Sequence, residues 1–504
     1  MRILSPAISR LMRLRIDRIE RFMEFPLETQ EDVFHNLLSQ AQYTEFGKKY
    51  DFGKVFKVQD YKKQVPLQDY ESLKPYIHRI MAGEQRLLWN TPIKWFAKSS
   101  GTTSDKSKFI PVSQESLNDC HYRAGRDIFT LYYHNFPDSD LLTGKSLAIG
   151  GSHQVNQLND TSFYGDLSAV MLQNLPFYGQ LVKTPELSIA LMAEWEEKIE
   201  QMAKVTMYEN VTSILGVPTW TIVLIRRILE LTGSRCITEV WPNLELYVHG
   251  GVSFVPYESQ FAGLIQSPSM RYMETYNASE GFFATQDNVL HSEGLLLFLN
   301  HGIFYEFMPL EEYGKADPQT LQLNEVETGQ QYALVISTNG GLWRYVLGDT
   351  IRFTSLYPFR IEVTGRTKFY INAFGEEVIV DNADRAIAEA CRQTGSIVND
   401  YTVAPVYFQK DSNGAHEWLI EFEVPPPDLN RFNDILDKML QSINSDYEAK
   451  RYKSIALHKP VVHSLSQGTF NAWLKQKDKL GGQHKVPRLS NDRKYVDEIL
   501  GMMK

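Results

Sequence analysis

Cysteine is scarce. Cys120, Cys236 and Cys391 are the only three in 504 residues, far apart and odd in number, which excludes a disulfide framework and a paired-cysteine metal site and points to a reducing compartment, the cytoplasm. An apolar run of about 18 residues, the length of a membrane span, is missing, so a soluble chain with no membrane partner is expected. A basic surplus is missing too: 52 Lys and Arg stand against 61 Asp and Glu, a net charge of −9. A nucleic-acid backbone, which needs a block of Lys and Arg on one face, is therefore not an expected partner, and any bound polyanion must be met by a local pocket. Internal repeats and low-complexity tracts are also lacking, while 43% of the residues are hydrophobic. That supports a large core divided over two or three domains.

Several familiar signatures fail. Gly144-Lys145-Ser146 ends like a Walker A loop, but Ser139 stands where its first glycine belongs. No G-x-G-x-x-G supports a dinucleotide fold, and no H-E-x-x-H or Cys/His spacing supports zinc. Gly251-Val252-Ser253-Phe254-Val255 lacks the second glycine of a nucleophile elbow.

The N-terminus has Arg2, Arg10, Arg13 and Arg15 ahead of the first acid, Asp17, the composition of a transit peptide or membrane-surface helix. Its helical period runs through Leu11, Leu14, Arg18 and Phe22 into Asp17 and Glu20, which favours a basic first helix packed on the body. Next, Thr29 is expected to cap a helix with Val33, Leu37, Leu38 and Ala41 on one face, ended by Gly47. Strands such as 93–97 and 146–149 then alternate with helices, one after Ser113 and one from Leu187 to Ala203. This predicts an α/β fold with a partly parallel sheet. From Leu244 to Val363 strands dominate, with turns at Asn300-His301-Gly302 and Asn339-Gly340-Gly341, an antiparallel or barrel-like section. After Gly365-Arg366 a small α+β tail is predicted: a hairpin at 373–375, a helix over 381–394, strands near 402–408 and 417–424, and a helix after Pro425-Pro426-Pro427.

Three clusters carry chemistry. Ser99-Ser100-Gly101-Thr102-Thr103 with Lys106 and Lys108 lies between apolar strands; its amides, hydroxyls and ammonium groups suit a polyphosphate, or a plain polar hairpin. Thr275-Tyr276-Asn277-Ala278-Ser279-Glu280-Gly281 offers a carboxylate for Mg²⁺ and a flat ring for a base, or an incidental surface turn. Arg344 to Asp349 ends in a Gly-Asp turn able to accept bonds from vicinal ribose hydroxyls. The aromatics Tyr164, Phe177 and Tyr178 read as packing residues, not acyl-pocket contacts.

Taken in order, these residues resemble the adenylate-forming superfamily. Within it the chain is similar to the Gretchen Hagen auxin-responsive acyl-acid amido synthetases in a bacterial-type version. Thr44-Glu45-Phe46-Gly47-Lys48, Val65-Pro66-Leu67, Gly216-Val217-Pro218-Thr219-Trp220 and Gln483-His484-Lys485-Val486-Pro487-Arg488 carry that resemblance beside the clusters above. It implies a large N-terminal nucleotide- and acyl-binding domain over 1–365 and a small mobile C-terminal domain over 366–504. It also implies that Ser99, Ser100, Gly101, Thr102 and Thr103, with Lys108, contact the phosphates of ATP. Gly250 and Gly251 would flank the adenine, Tyr276 would stack near it with Ser279 in the same turn, and Glu280 would coordinate Mg²⁺. Asp349 would bind the ribose, Arg366 would sit at the hinge, Val217 and Pro218 would line the acyl pocket, and Lys485 would reach the α-phosphate.

The activity so implied is adenylation of a small carboxylic acid followed by transfer to an amine, an amino acid, by a monomer. An acyl-CoA ligase and a non-catalytic nucleotide-binding module are the rivals. No basic patch for the phosphates of coenzyme A stands out, and Glu280, Asp349 and Lys485 together have no use in a mere scaffold.

Overall fold

The computed structural model describes residues 15–503 except 100–107, 150–154, 193, 252–253, 255–256, 291–292, 368–369, 372–375, 377, 407–413, 445–446, 449–450, 452–456, 478–484 and 491–492. It divides into two compact units: Met1–Val252, Gly263–Leu347 and Ile351–Glu362 form the first, and Ser253–Ala262, Gly348–Thr350 and Val363–Lys504 the second.

The first unit opens with helices. Arg2, Arg10 and Arg13 lie outside the described residues, but the helix Ile16–Glu24 buries Ile19 and Phe22, and Arg15 reaches Asp127 at 2.8 Å. The basic start is thus packed on the body from Arg15 onward. The next helix is Pro26–Ala41. Thr29 is not its cap: Pro26, with its fixed φ, opens the helix three residues earlier, and the Thr29 hydroxyl donates back to the Phe25 carbonyl at 2.6 Å. Nor does Gly47 end it. Thr44 caps a new helix, Glu45–Lys49, by accepting the Gly47 N–H at 3.0 Å, and a Cβ on Gly47 would stand 2.1 Å from the Ala41 carbonyl oxygen.

Fifteen strands follow, most of them in this unit: β1 (Trp95–Ser99), β2 (Lys108–Val112), β3 (Lys145–Ala148), β4 (Asn156–Asn159), β5 (Ser162–Gly165), β6 (Lys183–Thr184), β7 (Val211–Leu215), β8 (Leu246–Gly250), β9 (Arg271–Ala278), β10 (Gly281–Thr285), β11 (Leu295–Leu297), β12 (Ile303–Pro309), β13 (Gln331–Thr338), β14 (Tyr345–Leu356) and β15 (Phe359–Arg366). A four-stranded sheet has the order β2-β1-β5-β4, and an eleven-stranded sheet runs β12-β13-β14-β15-β11-β10-β9-β8-β7-β3-β6. The pairs among β3, β6, β7, β8 and β9 are parallel, whereas β9 with β10, β10 with β11, β11 with β15 and β12 with β13 are antiparallel. The section from Leu244 to Val363 is therefore not a closed barrel among the described residues; its strands are members of one open sheet that changes from parallel to antiparallel pairing at β9.

The run Leu187–Ala203 divides into two helices, Leu187–Ala190 and Trp195–Thr206, because Glu196 and Glu197 start a fresh first turn where acids favour a helix N-terminus. The helix Pro218–Thr232 shows the local logic well: proline opens it at its first position, and Gly233, at φ +69°, closes it in the left-handed conformation. At the β12 edge, Gln30 Nε2 donates to the Leu299 and Ile303 carbonyls at 2.7 and 2.9 Å, and Gln30 Oε1 accepts the Tyr305 N–H at 2.9 Å.

Within the second unit β16 (Tyr370–Ile371) and β17 (Val378–Ile379) form a hairpin, followed by the helix Val380–Thr394. β18 (Ile397–Val406), β19 (Ala415–Val424) and β20 (Val461–Leu465) form a three-stranded sheet, with helices Leu429–Ile443, Thr469–Gln476 and Lys494–Met502 between and after them. The core of Ile387, Tyr401, Trp418, Phe432 and Leu436 belongs to this unit alone. Its order matches the expected α+β tail.

Three histidines of the first unit are buried and held neutral. Burial lowers His121 and His301 to about 4 and His249 to about 3, although Asp127, 3.0 Å from His301, pulls that ring the other way. The unfolded chain takes up these protons near pH 6.5, so the stability they contribute is complete above that value and is lost as pH falls toward 4. The melting temperature is expected to fall between pH 7 and pH 5, and His121→Phe, which removes one titrating ring, to flatten that fall; a melting temperature that stays level over this interval would contradict the burial of neutral rings.

Candidate active site

In open α/β sheets ligands bind beyond the carboxyl ends of the parallel strands. Here three short turns leave that edge from adjacent strands: Gly216-Val217-Pro218 after β7, Gly250-Gly251 after β8, and Ser279-Glu280 after β9. The glycines are there because the backbones come close. Gly250 stands opposite Thr275 in the β8–β9 register, and a Cβ on it would lie 2.4 Å from the Thr275 carbonyl oxygen and 2.7 Å from its Oγ1. That hydroxyl donates to the His249 carbonyl at 3.0 Å, so Thr275 fastens the end of β8. Gly251 follows at φ +79°, a left-handed position. Tyr247 fixes the neighbouring turn by donating its hydroxyl to the Gly216 carbonyl at 2.9 Å; Val217 then stands at the N-cap of the following helix and Pro218 at its first position.

The Thr275–Gly281 motif is mostly strand rather than turn. β9 continues to Ala278, and only Ser279 and Glu280 make the reversal into β10. Tyr276 is consequently a strand residue, buried, with its ring centroid 4.8 Å from that of Phe283. Ser279 is buried and Glu280 half-buried at the tip. Ser99 and Lys108 pair across β1 and β2 and so form the two ends of the hydroxyl-rich loop; Ser100, Gly101, Thr102, Thr103 and Lys106 lie outside the described residues. Lys108 Nζ sits 5.8 Å above the centre of the Tyr70 ring, whose hydroxyl accepts the Phe109 N–H at 2.9 Å. Among the other aromatics, Tyr164 packs edge-on against Phe109, but Phe177 is 74% exposed and not a packing residue.

The second unit holds the remaining expected residues. Asp349 is buried between Gly348, whose carbonyl accepts the Thr367 N–H at 2.8 Å, and Thr350, whose hydroxyl accepts from that of Thr364 at 3.0 Å. Arg366 ends β15. Lys485 is exposed, while Val486 and Pro487 after it are buried.

Sequence reasoning named Thr275 within its motif but passed over its part in fastening β8, because a threonine on the strand next to a glycine pair gives no signal of that contact. It also passed over Asp400, 2.6 Å from Arg488 and 85 residues upstream of the lysine motif in a strand of ordinary composition. The cysteines are free, and burial pushes the Cys120 thiol up to about 12, so it is no nucleophile.

The architecture is that of the adenylate-forming enzymes. It is similar to 2-hydroxyisobutyryl-CoA ligase in the postadenylation state in complex with 2-HIB-AMP, with a TM-score of 0.61 at 12% identity over 94% of this chain and 91% of that one. It is also similar to the GH3.15 acyl acid amido synthetase, with a TM-score of 0.80 at 18% identity over 97% and 96%.

Residues 15–270 match the GH3 family N-terminal domain, 296–366 its central domain and 381–494 its C-terminal domain, and the chain belongs to the GH3 family. Among curated relatives, the indole-3-acetic acid-amido synthetase GH3.4 of Arabidopsis thaliana is 23% identical over 96% of this chain and 92% of its own length. The jasmonoyl–L-amino acid synthetase JAR4 of Nicotiana attenuata is 23% identical over 95% of each.

Gly250→Ala is expected to force β8 from β9, lowering stability by about 1–3 kcal/mol as a reduced urea midpoint with an unchanged slope. Gly125→Ala, in the helix Tyr122–Asn135 with nothing within 4 Å of its added Cβ, is expected to raise the midpoint instead, by about 0.4–1 kcal/mol. Equal midpoints for the two variants would contradict the close approach at Gly250.

Proposed function

We infer that this chain is an AMP-forming ligase that adenylates a small carboxylic acid with ATP and passes the acyl group to an amine, an amino acid, forming an amide. One observation supports the reading above others: the three turns at Val217-Pro218, Gly250-Gly251 and Ser279-Glu280 leave adjacent strand ends of a chain whose residues 15–270, 296–366 and 381–494 match the family. Of the two relatives named above, one is called an indole-3-acetic acid-amido synthetase and the other a jasmonoyl–L-amino acid synthetase.

In the first half reaction the substrate carboxylate attacks the α-phosphorus and pyrophosphate leaves. Both partners are anions, so the protein must cancel repulsion and hold the attack in line. Lys108 and the amides and hydroxyls of 99–103 serve the phosphates, and Lys485 serves the α-phosphate, where charge shifts as the bond to pyrophosphate breaks. Gly250 and Gly251 leave room beside the base and Tyr276 with Ser279 shapes its pocket, while Asp349 accepts the ribose hydroxyls. Val217 and Pro218 line the acyl site.

Glu280 suits Mg²⁺ on chemical grounds: among the described residues no group of three or more His, Cys, Asp and Glu side chains could hold a metal, and Mg²⁺ needs only one or two carboxylates when it arrives on nucleotide phosphates. Bound there, it would neutralise phosphate charge.

In the second half reaction the amine nitrogen attacks the acyl carbonyl, AMP leaves, and Lys485 is no longer needed. A functional division into 1–365 and 366–504, pivoting near Arg366, would let the small domain withdraw it. No described helix is long and apolar enough to cross a membrane.

Hydroxylamine trapping over a panel of carboxylic acids, followed by an amino-acid panel and coenzyme A with the best acid, tests the reaction class; turnover with coenzyme A and not with any amine would overturn the amide reading. With that acid, Lys485→Ala is expected to slow ATP–pyrophosphate exchange about 100-fold or more. For Asp349→Ala the expectation is a rise of roughly 10- to 100-fold in the ATP KM, the loss of bonds to a charged acceptor; a normal ATP KM would remove the ribose role.

A further inference from the structure

Lys108 closes the hydroxyl-rich loop at the start of β2. That strand is the outer one of the four-stranded sheet, with β1 on one side, where Ser99 pairs with Lys108 and Lys98 with Phe109. Its other side bears no strand among the described residues, so an N–H pointing that way needs a partner of another kind. For Phe109 that partner is the Tyr70 hydroxyl, 2.9 Å away. The same ring lies under the Lys108 ammonium, with Nζ 5.8 Å from the ring centre. One side chain thus meets two consecutive residues at the end of the loop, the charge of the first and the backbone of the second.

Tyr70 is a fixed point because its own place is set twice over. It is the first residue of the helix Tyr70–Met81, whose reciprocal cap joins the Asp69 and Ser72 side chains to each other's N–H, both at 2.9 Å. Just before it, Gln68 is bonded to the start of β14: its N–H donates to the Arg344 carbonyl at 2.9 Å, and its carbonyl accepts the Val346 N–H at 2.8 Å. The Tyr70 ring is buried, and the Phe109 ring beside it packs edge-on against Tyr164 with centres 5.4 Å apart. A lysine on its flexible four-carbon stem has many rotamers to lose when it meets a phosphate. An aromatic face under the ammonium removes part of that freedom before the ligand arrives.

We propose that Tyr70 is a positioning residue for Lys108: its hydroxyl fixes the β2 end of the loop, and its ring holds the ammonium ready for the phosphates of ATP beyond the α-phosphate. The proposal rests on the reading of Lys108 as a phosphate lysine, but its labelling test does not.

In the full-length protein with Mg²⁺, binding of α,β-methylene ATP and of AMP is measured by calorimetry. Tyr70→Met, which removes the ring and keeps apolar volume, is expected to weaken the ATP analogue about 5- to 20-fold and AMP less than about 2-fold. In a Lys108→Met background it should cost nothing further, because the two act as one unit. Tyr70→Phe, which leaves the Phe109 N–H unmet, is expected to weaken the analogue about 3- to 10-fold. Acetic anhydride should modify Lys108 several-fold faster in Tyr70→Met than in wild type, read by tandem mass spectrometry against the exposed Lys57, and no faster in Tyr70→Phe, which keeps the ring. Equal losses for AMP and the analogue, the mark of a merely structural tyrosine, overturn the proposal, as does unchanged Lys108 labelling in Tyr70→Met. If Tyr70→Met does not fold, Tyr70→Phe decides alone, and an unchanged affinity for the analogue overturns the proposal. If Lys108→Met binds the analogue normally, the reading of the lysine falls instead, and the labelling still decides whether Tyr70 holds it.

Discussion

The buried ion pair of Arg344 and Glu306 is the constraint on which much of the first unit depends. Arg344 Nε lies 3.2 and 3.0 Å from the two Glu306 carboxylate oxygens, and Nη1 donates to the Lys62 and Val65 carbonyls at 2.9 and 2.7 Å. Its backbone N–H donates to Ser337 Oγ at 3.0 Å, and its carbonyl accepts the Gln68 N–H at 2.9 Å. One residue, through its side chain and its backbone, therefore joins the N-terminal helical layer, the β12–β13 pair and the start of β14. Its φ is +43°, a left-handed value that costs a non-glycine residue of order 1–3 kcal/mol and persists only when the surroundings over-determine it. Removing one partner of such a buried pair leaves an uncompensated charge and costs about 3–5 kcal/mol. The strand whose first turn this pair fixes is the one that carries Asp349.

Much of the architecture was legible in the sequence wherever pattern and local chemistry agree. The C-terminal helix and paired strands and the glycine turns at 300–302 and 339–341 follow from period and φ requirements alone. The misreadings have physical causes. Thr29 looks like a cap because hydroxyl residues favour that position, yet Pro26 fixes its own φ and wins. The Tyr276 motif looks like a turn because Asn, Ala and Ser are poor strand formers, yet register with β10, Gly281 opposite Ala278 and Phe282 opposite Asn277, keeps β9 extended to Ala278. The apparent barrel reflects local strand composition, which says nothing of whether a sheet closes. For the site, ordered motifs named the residues at the strand ends, whereas the contacts that hold them, Thr275 on His249 and Asp400 on Arg488, join distant segments and leave no local trace.

The distribution of charge also acquires meaning. A net charge of −9 seemed to speak against binding polyanions. His121, His249 and His301 are held neutral and burial keeps the Cys120 thiol protonated, so these groups bring no positive charge to the first unit. On this surface long-range attraction for a nucleotide is weak, and recognition has to rely on short-range, directional groups.

The Gln30 side chain has a further consequence. It satisfies the outward backbone groups of Ile303 and Tyr305, and Leu321 exchanges bonds with Phe307 at 2.9 and 2.7 Å, so alternate positions along the outer rim of β12 are already taken. At the opposite rim β6 has two residues and runs straight into Pro185, which has no N–H to offer. A sheet of this width, whose strands come from places far apart in the chain, assembles slowly and would be open to pairing with its own copies while it does so. Blunting both rims keeps it from templating aggregates, a protection against self-association in a crowded cell rather than a contribution to the chemistry.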